Sequence, residues 1–361
     1  MISNMYFWFI ASRFLKPTVS IFFAMEFFFV CIDSLQYIDR IPNSANLIML
    51  FLVYDAIYAL NYVFPISLLL GLIVFYLTLI KSNQYIALLS LGYSKKQIVF
   101  VPIFFITLSV MGYIGLNCTS FAYAEESAQS MLNRSNNSSI LKDLFIRYGD
   151  WYVFFSKIHP LLQKAENITL YQTASSNNDR ELVRIIEADE GYFHNNEWNL
   201  ISPKVITLPN IYELGASGLA IEEKDSITTL EGFRPKILDT IYQNKPLISI
   251  VDAVYSLQIL WSEKSDTNRV RGLLYTLILV PFFIPMLSIV IAYYMPPLAR
   301  YGNITIIGIL LSVLSLIIWG IFFSIGKLQA QVSFLPEIGI LVPLFTLFAI
   351  SIGYYFKLDK I

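Results

Sequence analysis

Apolar residues are concentrated in six long runs, grouped three and three around one polar stretch. The runs cover about Pro17 to Tyr37, Ile57 to Ile80 (after an amphipathic lead-in from Asn46), Ile98 to Cys118, Val270 to Tyr293, Ile304 to Ile325, and Ile338 to Phe356. Each approaches the roughly 20 apolar residues a helix needs to cross the hydrocarbon core of a bilayer. Pro65, Pro102, Pro281 and Pro285 fall inside these runs. Membrane helices accept proline where neighbouring groups satisfy the freed carbonyls, so helices are predicted throughout, kinked at Pro281 and Pro285. The first run contains Glu26 and lacks a small-residue cleavage site, which predicts a retained signal-anchor helix.

The polar stretch, from about Tyr123 to Lys245, has a different rhythm. Trp151–Phe155, Asn167–Tyr171, the run towards Glu187 from Arg184, and Lys204–Leu208 are rich in aromatic and β-branched residues and predict strands. Glu190–Phe193 and Glu197–Leu200 flank His194-Asn195-Asn196, a hairpin pattern, because asparagine tolerates positive φ. Short strands at this spacing suggest a sandwich or jelly roll. Beyond it, Ser249-Ile-Val-Asp252 resembles a capping box with Asp in place of Glu. It predicts a helix from Ile250 to about Glu263, with Trp261 as an interfacial anchor. The predicted fold is an integral membrane α-helical protein with six transmembrane helices (3+3) and an inserted all-β, jelly-roll-like domain. The divisions fall at residues 1–122, 123–248 and 249–361.

Composition agrees: 56% of residues are hydrophobic and 14% charged, against about 25% charged in soluble domains. A net charge of −1 gives no bulk attraction to nucleic acid. Lysine and arginine orient the spans. With both termini cytoplasmic, Arg13, Lys16, Lys81, Lys95, Lys96, Arg300, Lys357 and Lys360 lie inside, and the short outer connections hold only Arg40 and Lys327. The β domain is then extracytoplasmic.

Catalytic motifs are missing from the sequence. There is no Walker-type phosphate loop, no H-E-x-x-H, no C-x-x-C and no G-x-S-x-G. His159 and His194 belong to no metal motif, and Cys31 and Cys118 sit in apolar runs as small hydrophobes. The chain is therefore expected to be no enzyme, with neither cofactor nor metal of its own.

The most informative segment is the second inner connection, Lys81 to Ile98. Ile86, Leu89 and Tyr93 fall at i, i+3 and i+7, one apolar face of a short helix. Gly92 predicts its stop, and Ser94 can cap the next helix. Such a helix suits docking in a partner's groove, or a plain interfacial anchor. Ser82–Ile98 resembles the coupling-helix pattern S-E-h-x-A-L-R-A-x-G-x-S (h, apolar) of the lipopolysaccharide-export permeases, the LptF/LptG (YjgP/YjgQ) family. Ala87, Leu88, Gly92 and Ser94 match, while Gln84 replaces the usual Glu and Leu89 the usual Arg. Ile146–Trp151 and Arg184–Leu200 resemble β-domain segments of the same family, nearer its LptG-like branch, and the likeness covers essentially the whole chain.

The resemblance implies a permease subunit of an ABC transporter in the bacterial inner membrane. It implies a paralogous permease as heterodimer partner, a cytoplasmic ATPase dimer on the coupling helices, and a single-span periplasmic bridge protein that receives the lipid. Lipid A phosphates would call for cations at the outer rim. The candidates are Arg40 and Lys327, ranked first by the resemblance, then Arg269 and Arg271, with helix-end anchoring as the plainer role. Glu26 and Asp33, seven apart on one helix face, either line a cavity or partner surface, or hold helices together through hydrogen bonds. Phe154, Ile168, Leu170, Ile185 and Trp198 are candidates for an apolar groove in the β domain, or for its ordinary core. Two rival readings are a membrane-anchored binding or assembly protein without transport, and an ion-coupled transporter using Glu26 and Asp33.

Overall fold

The computed structural model describes residues 2–37, 44–132, 141–159, 162–176, 179–209, 218–233, 248–262, 267–298, 302–331 and 335–358. Arg40 lies outside them. Two compact units are present. One comprises Met1–Leu132, Ser249–Val251 and Asn268–Ile361, and the other Asn133–Ile248 and Asp252–Thr267.

The first unit is helical. Among the described residues six helical stretches are long and apolar enough to cross a membrane: Met5–Gln36, Ala45–Lys81, Lys95–Leu116, Asn268–Tyr294, Ile304–Leu328 and Glu337–Lys357. The first helix, α1 (Ile2–Gln36), starts fifteen residues before the expected Pro17 and runs straight through that proline. Its early turns survive because Ile10, Ala11 and Phe14 are fully buried. The second, α2 (Ala45–Lys81), likewise absorbs the amphipathic lead-in into one continuous helix. A short helix, α3 (Gln84–Ser90), separates it from α4 (Lys95–Leu116), and α5 (Ala124–Leu132) follows.

After the strands come α6 (Ile250–Ser262), most of which belongs to the second unit, and then α7 (Asn268–Ile278), α8 (Phe283–Tyr294), α9 (Ile304–Gln331) and α10 (Val342–Lys357) of the first. The break between α7 and α8 is a single 3₁₀ turn at Val280–Phe282, centred on the expected kink site Pro281. Pro285 sits in the first turn of α8, where its missing N–H matters least. Glu337–Leu341 forms a wide π turn before α10.

Helix α2 lies at the centre of this unit. Its most apolar window is 72% buried, against 6% for α1. Small residues let the backbones approach. A Cβ on Gly71 would overlap the Thr18 hydroxyl and come 2.8 Å from the Thr18 Cα, so α1 and α2 cross there in direct contact. Gly308 of α9 is packed on Leu77 of α2, and Gly326 of α9 on Thr276 of α7, with Cβ positions 2.9 Å from those side chains.

The second unit is antiparallel β-structure. Its strands are β1 (Leu141–Tyr148), β2 (Trp151–His159), β3 (Lys164–Ser176), β4 (Asp179–His194), β5 (Glu197–Ile201), β6 (Lys204–Thr207), β7 (Ala220–Glu223) and β8 (Ser226–Thr229). They form one sheet in the order β1-β2-β3-β4-β5-β8, and β6 pairs with β4 and β7. The long β4 merges two expected strands and binds β5 and β6 at different stretches of one edge. Asn195 (φ 51°) and Asn196 (φ 69°) make the expected two-residue hairpin turn.

One face of the sheet is apolar. Val153, Phe155, Ile158, Ile168, Leu170, Ile186, Trp198 and Leu200 are buried there together. Leu230 and Phe233 close over it, and the indole N–H of Trp198 donates to the Phe233 carbonyl at 2.7 Å.

Candidate functional site

The connection between α2 and α4 is shaped by local backbone chemistry. Asn83, at the N-cap of α3, is left-handed (φ 56°). Gly92 (φ 89°) ends the helix in a conformation that side chains resist. The amides of Gly92 and Tyr93 donate to the carbonyls of Leu89 and Leu88. Ser94 then opens α4 with a full capping box: its hydroxyl accepts from the Gln97 amide (3.2 Å), and its own amide donates to Gln97 Oε1 (3.0 Å). The sequence reading of a stop at Gly92 and a cap at Ser94 holds.

The face of α3 turned inward is wider than the expected one. Tyr85 and Leu88 are buried, and Leu89 and Tyr93 are packed against the same core. Tyr93 stacks on Tyr6 of α1, with ring centroids 4.0 Å apart, and Tyr85 meets Tyr76 of α2 edge-on at 6.2 Å. Ile86 is only partly covered. Leu89 and Tyr93 thus lie on the packed face as the spacing predicted, and Tyr85 and Leu88 widen that face beyond it. Gln84 is half-buried, and its Oε1 has no hydrogen-bond partner. The exposed tip consists of Ala87, Ser90, Leu91 and Gly92, and Leu91 is 74% exposed despite being apolar.

A second feature lies among α1, α2 and α5. A cavity of about 220 Å³ is lined by Asp33, Asp55 and Glu125 together with Phe29, Tyr58 and Tyr62. Asp33 comes from α1, as its spacing from Glu26 suggested. Asp55 and Glu125 escaped the sequence reading. Asp55 was placed in the lead-in to a span beginning at Ile57, whereas it lies inside α2. Burial raises the Glu125 pKa, and the charge of Lys327 opposes that rise. Glu26 is half-buried with an unpartnered Oε2.

The expected rim cations are found in different settings. Arg271 is bound to Glu337 at 2.7 Å, which joins the start of α7 to the π turn before α10. That ion pair gives Arg271 a structural partner in place of a free phosphate-binding position. Arg269 is half-buried. Lys327 is exposed, with its ammonium 5.5 Å from the centre of the Phe323 ring.

A model of the family described as lipopolysaccharide export system permease LptF/LptG matches residues 8–357. The chain belongs to the LptF/LptG family. The match takes in all six candidate spans and the inserted sheet, and it bears out the resemblance read from the sequence. The LptF/LptG model treats the two paralogues as one family. A search of the curated proteins finds no match. LptF/LptG proteins are permeases for lipopolysaccharide export, and with its six apolar helices this one is a multi-pass inner-membrane protein.

Of the residues proposed for an LptF/LptG β-domain groove, Ile168, Leu170 and Trp198 share the buried face. Phe154 and Ile185 do not. They alternate with the inward Val153, Phe155 and Ile186 and so stand on the opposite face of the pleat. That face also carries Phe145, paired directly with Phe154, and Tyr152 and Tyr171, opposed across β2 and β3.

Proposed function

We propose that this chain is the non-catalytic transmembrane subunit of an ABC transporter that extracts lipopolysaccharide from the inner membrane and passes it to a periplasmic bridge towards the outer membrane. The supporting observation is α3, a short helix fastened at both ends with an apolar, solvent-facing tip at Leu91. A chain with no phosphate loop of its own needs another chain to hydrolyse ATP, and a short helix on the Lys81–Lys96 side is a fit for that chain's groove. The charge bias of the loops supports cytoplasmic termini and a periplasmic β unit. A paralogous permease and a bridge protein complete the assembly in this reading.

The test is photocrosslinking in cells from Ala87 and Leu91, with buried Leu88 as an internal control. Adducts to a cytoplasmic ATPase from Ala87 and Leu91, and none from Leu88, are expected. A folded, expressed protein that gives no ATPase adduct from either exposed position would leave a membrane-anchored assembly protein as the better reading.

A further inference from the structure

The cavity among α1, α2 and α5 has a composition that suits one class of ligand. Its three carboxylates come from three separate helices, and its walls are aromatic. Phe29 stacks on Tyr62 with centroids 5.4 Å apart, and Tyr58 meets Tyr62 edge-on at 5.1 Å. Asp55 is 2% exposed and lines the cavity; its side chain meets that of Asp33 at hydrogen-bonding distance, and its Oδ2 has no other hydrogen-bonding partner. A buried carboxylate oxygen without a donor carries a free-energy cost that a bound donor would remove.

The shape of the donor set narrows the choice. Among the described residues no three acidic, histidine or cysteine side chains converge closely enough to hold a metal ion. The side chains of Asp33 and Asp55 meet at hydrogen-bonding distance, and this pair with the third acid, Glu125, and the aromatic faces beside them fit a larger, softer cation, which can take hydrogen bonds or charge attraction from the acids and cation–π attraction from the rings. The volume of about 220 Å³ exceeds the roughly 30 Å³ share of one water several-fold. Among the described residues, the charged groups nearby are Glu26 on α1, Glu126 on α5 and Lys327 on α9. Lys327 acts on Glu125 but rests over Phe323, and among the described residues acids outnumber bases around the cavity.

The geometry points to this cavity as a binding site for an organic ammonium group, with the paired Asp55 and Asp33, one proton shared between them, as its acidic floor, Glu125 at its rim, and Phe29, Tyr58 and Tyr62 as its aromatic wall. Such a group could be the head-group amine of a membrane lipid or a small free amine.

The experiment uses the full chain in nanodiscs of phosphatidylglycerol, titrated with choline or ethanolamine and followed by thermal unfolding and saturation-transfer NMR. Saturable binding is expected for either amine, and none for the neutral choline isostere 3,3-dimethylbutanol. Asp55→Asn should weaken binding by about tenfold, through loss of the acid pair in a buried site. Glu125→Gln, at a less buried position, provides a second reading if Asp55→Asn fails to fold. Replacing phosphatidylglycerol with phosphatidylethanolamine separates the sources: competition against added choline identifies the lipid amine, and unchanged choline binding identifies a free amine. Absence of saturable amine binding, equal binding of the neutral isostere, or unchanged affinity in the folded variants would overturn the assignment.

Discussion

At the scale of single residues, close contacts decide what can change. Gly71 meets the backbone of Thr18 where α1 crosses α2. A methyl group there has no room, so Gly71→Ala is expected to cost about 1–3 kcal/mol, the usual range for overpacking. A lowered midpoint of thermal unfolding in detergent would register it. Adding Thr18→Ala should recover only part of the loss, because the Thr18 Cα is also within 2.8 Å of the new methyl. In the β unit, Trp198→Phe removes the donor to the buried Phe233 carbonyl. A cost of about 1–3 kcal/mol is expected from that unsatisfied acceptor, read as earlier unfolding of the sheet by hydrogen exchange in β5. Single residues were also the level at which the sequence was hardest to read. Asp55 looked like a flanking charge because a carboxylate interrupts the apolar run there, although residues 47–54 before it are apolar at every position and belong to the same helix, which begins ten residues earlier. The run Trp151–Phe155 is apolar at every position, so alternation could not show that Phe154 faces away from its neighbours.

At the scale of elements, turns and cross-strand pairs give the clearest expectations. Asn196 holds φ at 69° in the β4–β5 turn. Asn196→Val should cost about 1–2 kcal/mol, since a side chain without local hydrogen bonding resists the left-handed region, whereas Asn196→Gly should be tolerated. Chemical denaturation of the two variants would show the ordering. Across β3 and β4, Lys164 bonds to Glu190 at 2.8 Å. That bond lowers the Glu190 pKa and raises that of Lys164. Glu190 therefore contributes stability above its unfolded pKa of about 4.3, lost as the pH falls through its lower folded value. Lys164 contributes below its unfolded pKa of about 10.4, lost as the pH rises through its higher folded value. The deficit of Glu190→Gln should thus be constant between these limits and vanish outside them, which unfolding across pH would test. The membrane helices were legible because about 20 apolar residues in a row have few other uses. The hairpin was legible because two asparagines in succession favour positive φ. Strand β1 was hidden by Lys142 and Asp143, and β7, exposed at every position, gives no apolar pattern to detect.

At the scale of the whole molecule, the six spans share burial unequally. Helix α2 is covered by its own chain, while α1, α9 and α10 leave most of their apolar windows uncovered, at 6%, 22% and 17% buried. Polar substitution in the centre of α2, such as Leu72→Asn, is expected to reduce the folded yield far more than Phe27→Asn on α1. Leu72 is 1% and Phe27 74% exposed, and only the first loses core packing as well as apolar character. Comparing monodisperse protein recovered in detergent would check this. The fastening of α3 has a mechanical side. It is keyed to α2 through Tyr85 and Tyr76, the turn after it is keyed to α1 through the Tyr93–Tyr6 stack, and that turn runs directly into the capped start of α4 at Ser94. Torque applied at Leu91 would not dissipate in a slack loop. The short helix would behave as a crank set on three shafts, and turning it would shear the tyrosine stack or swing the inner ends of α1, α2 and α4 together.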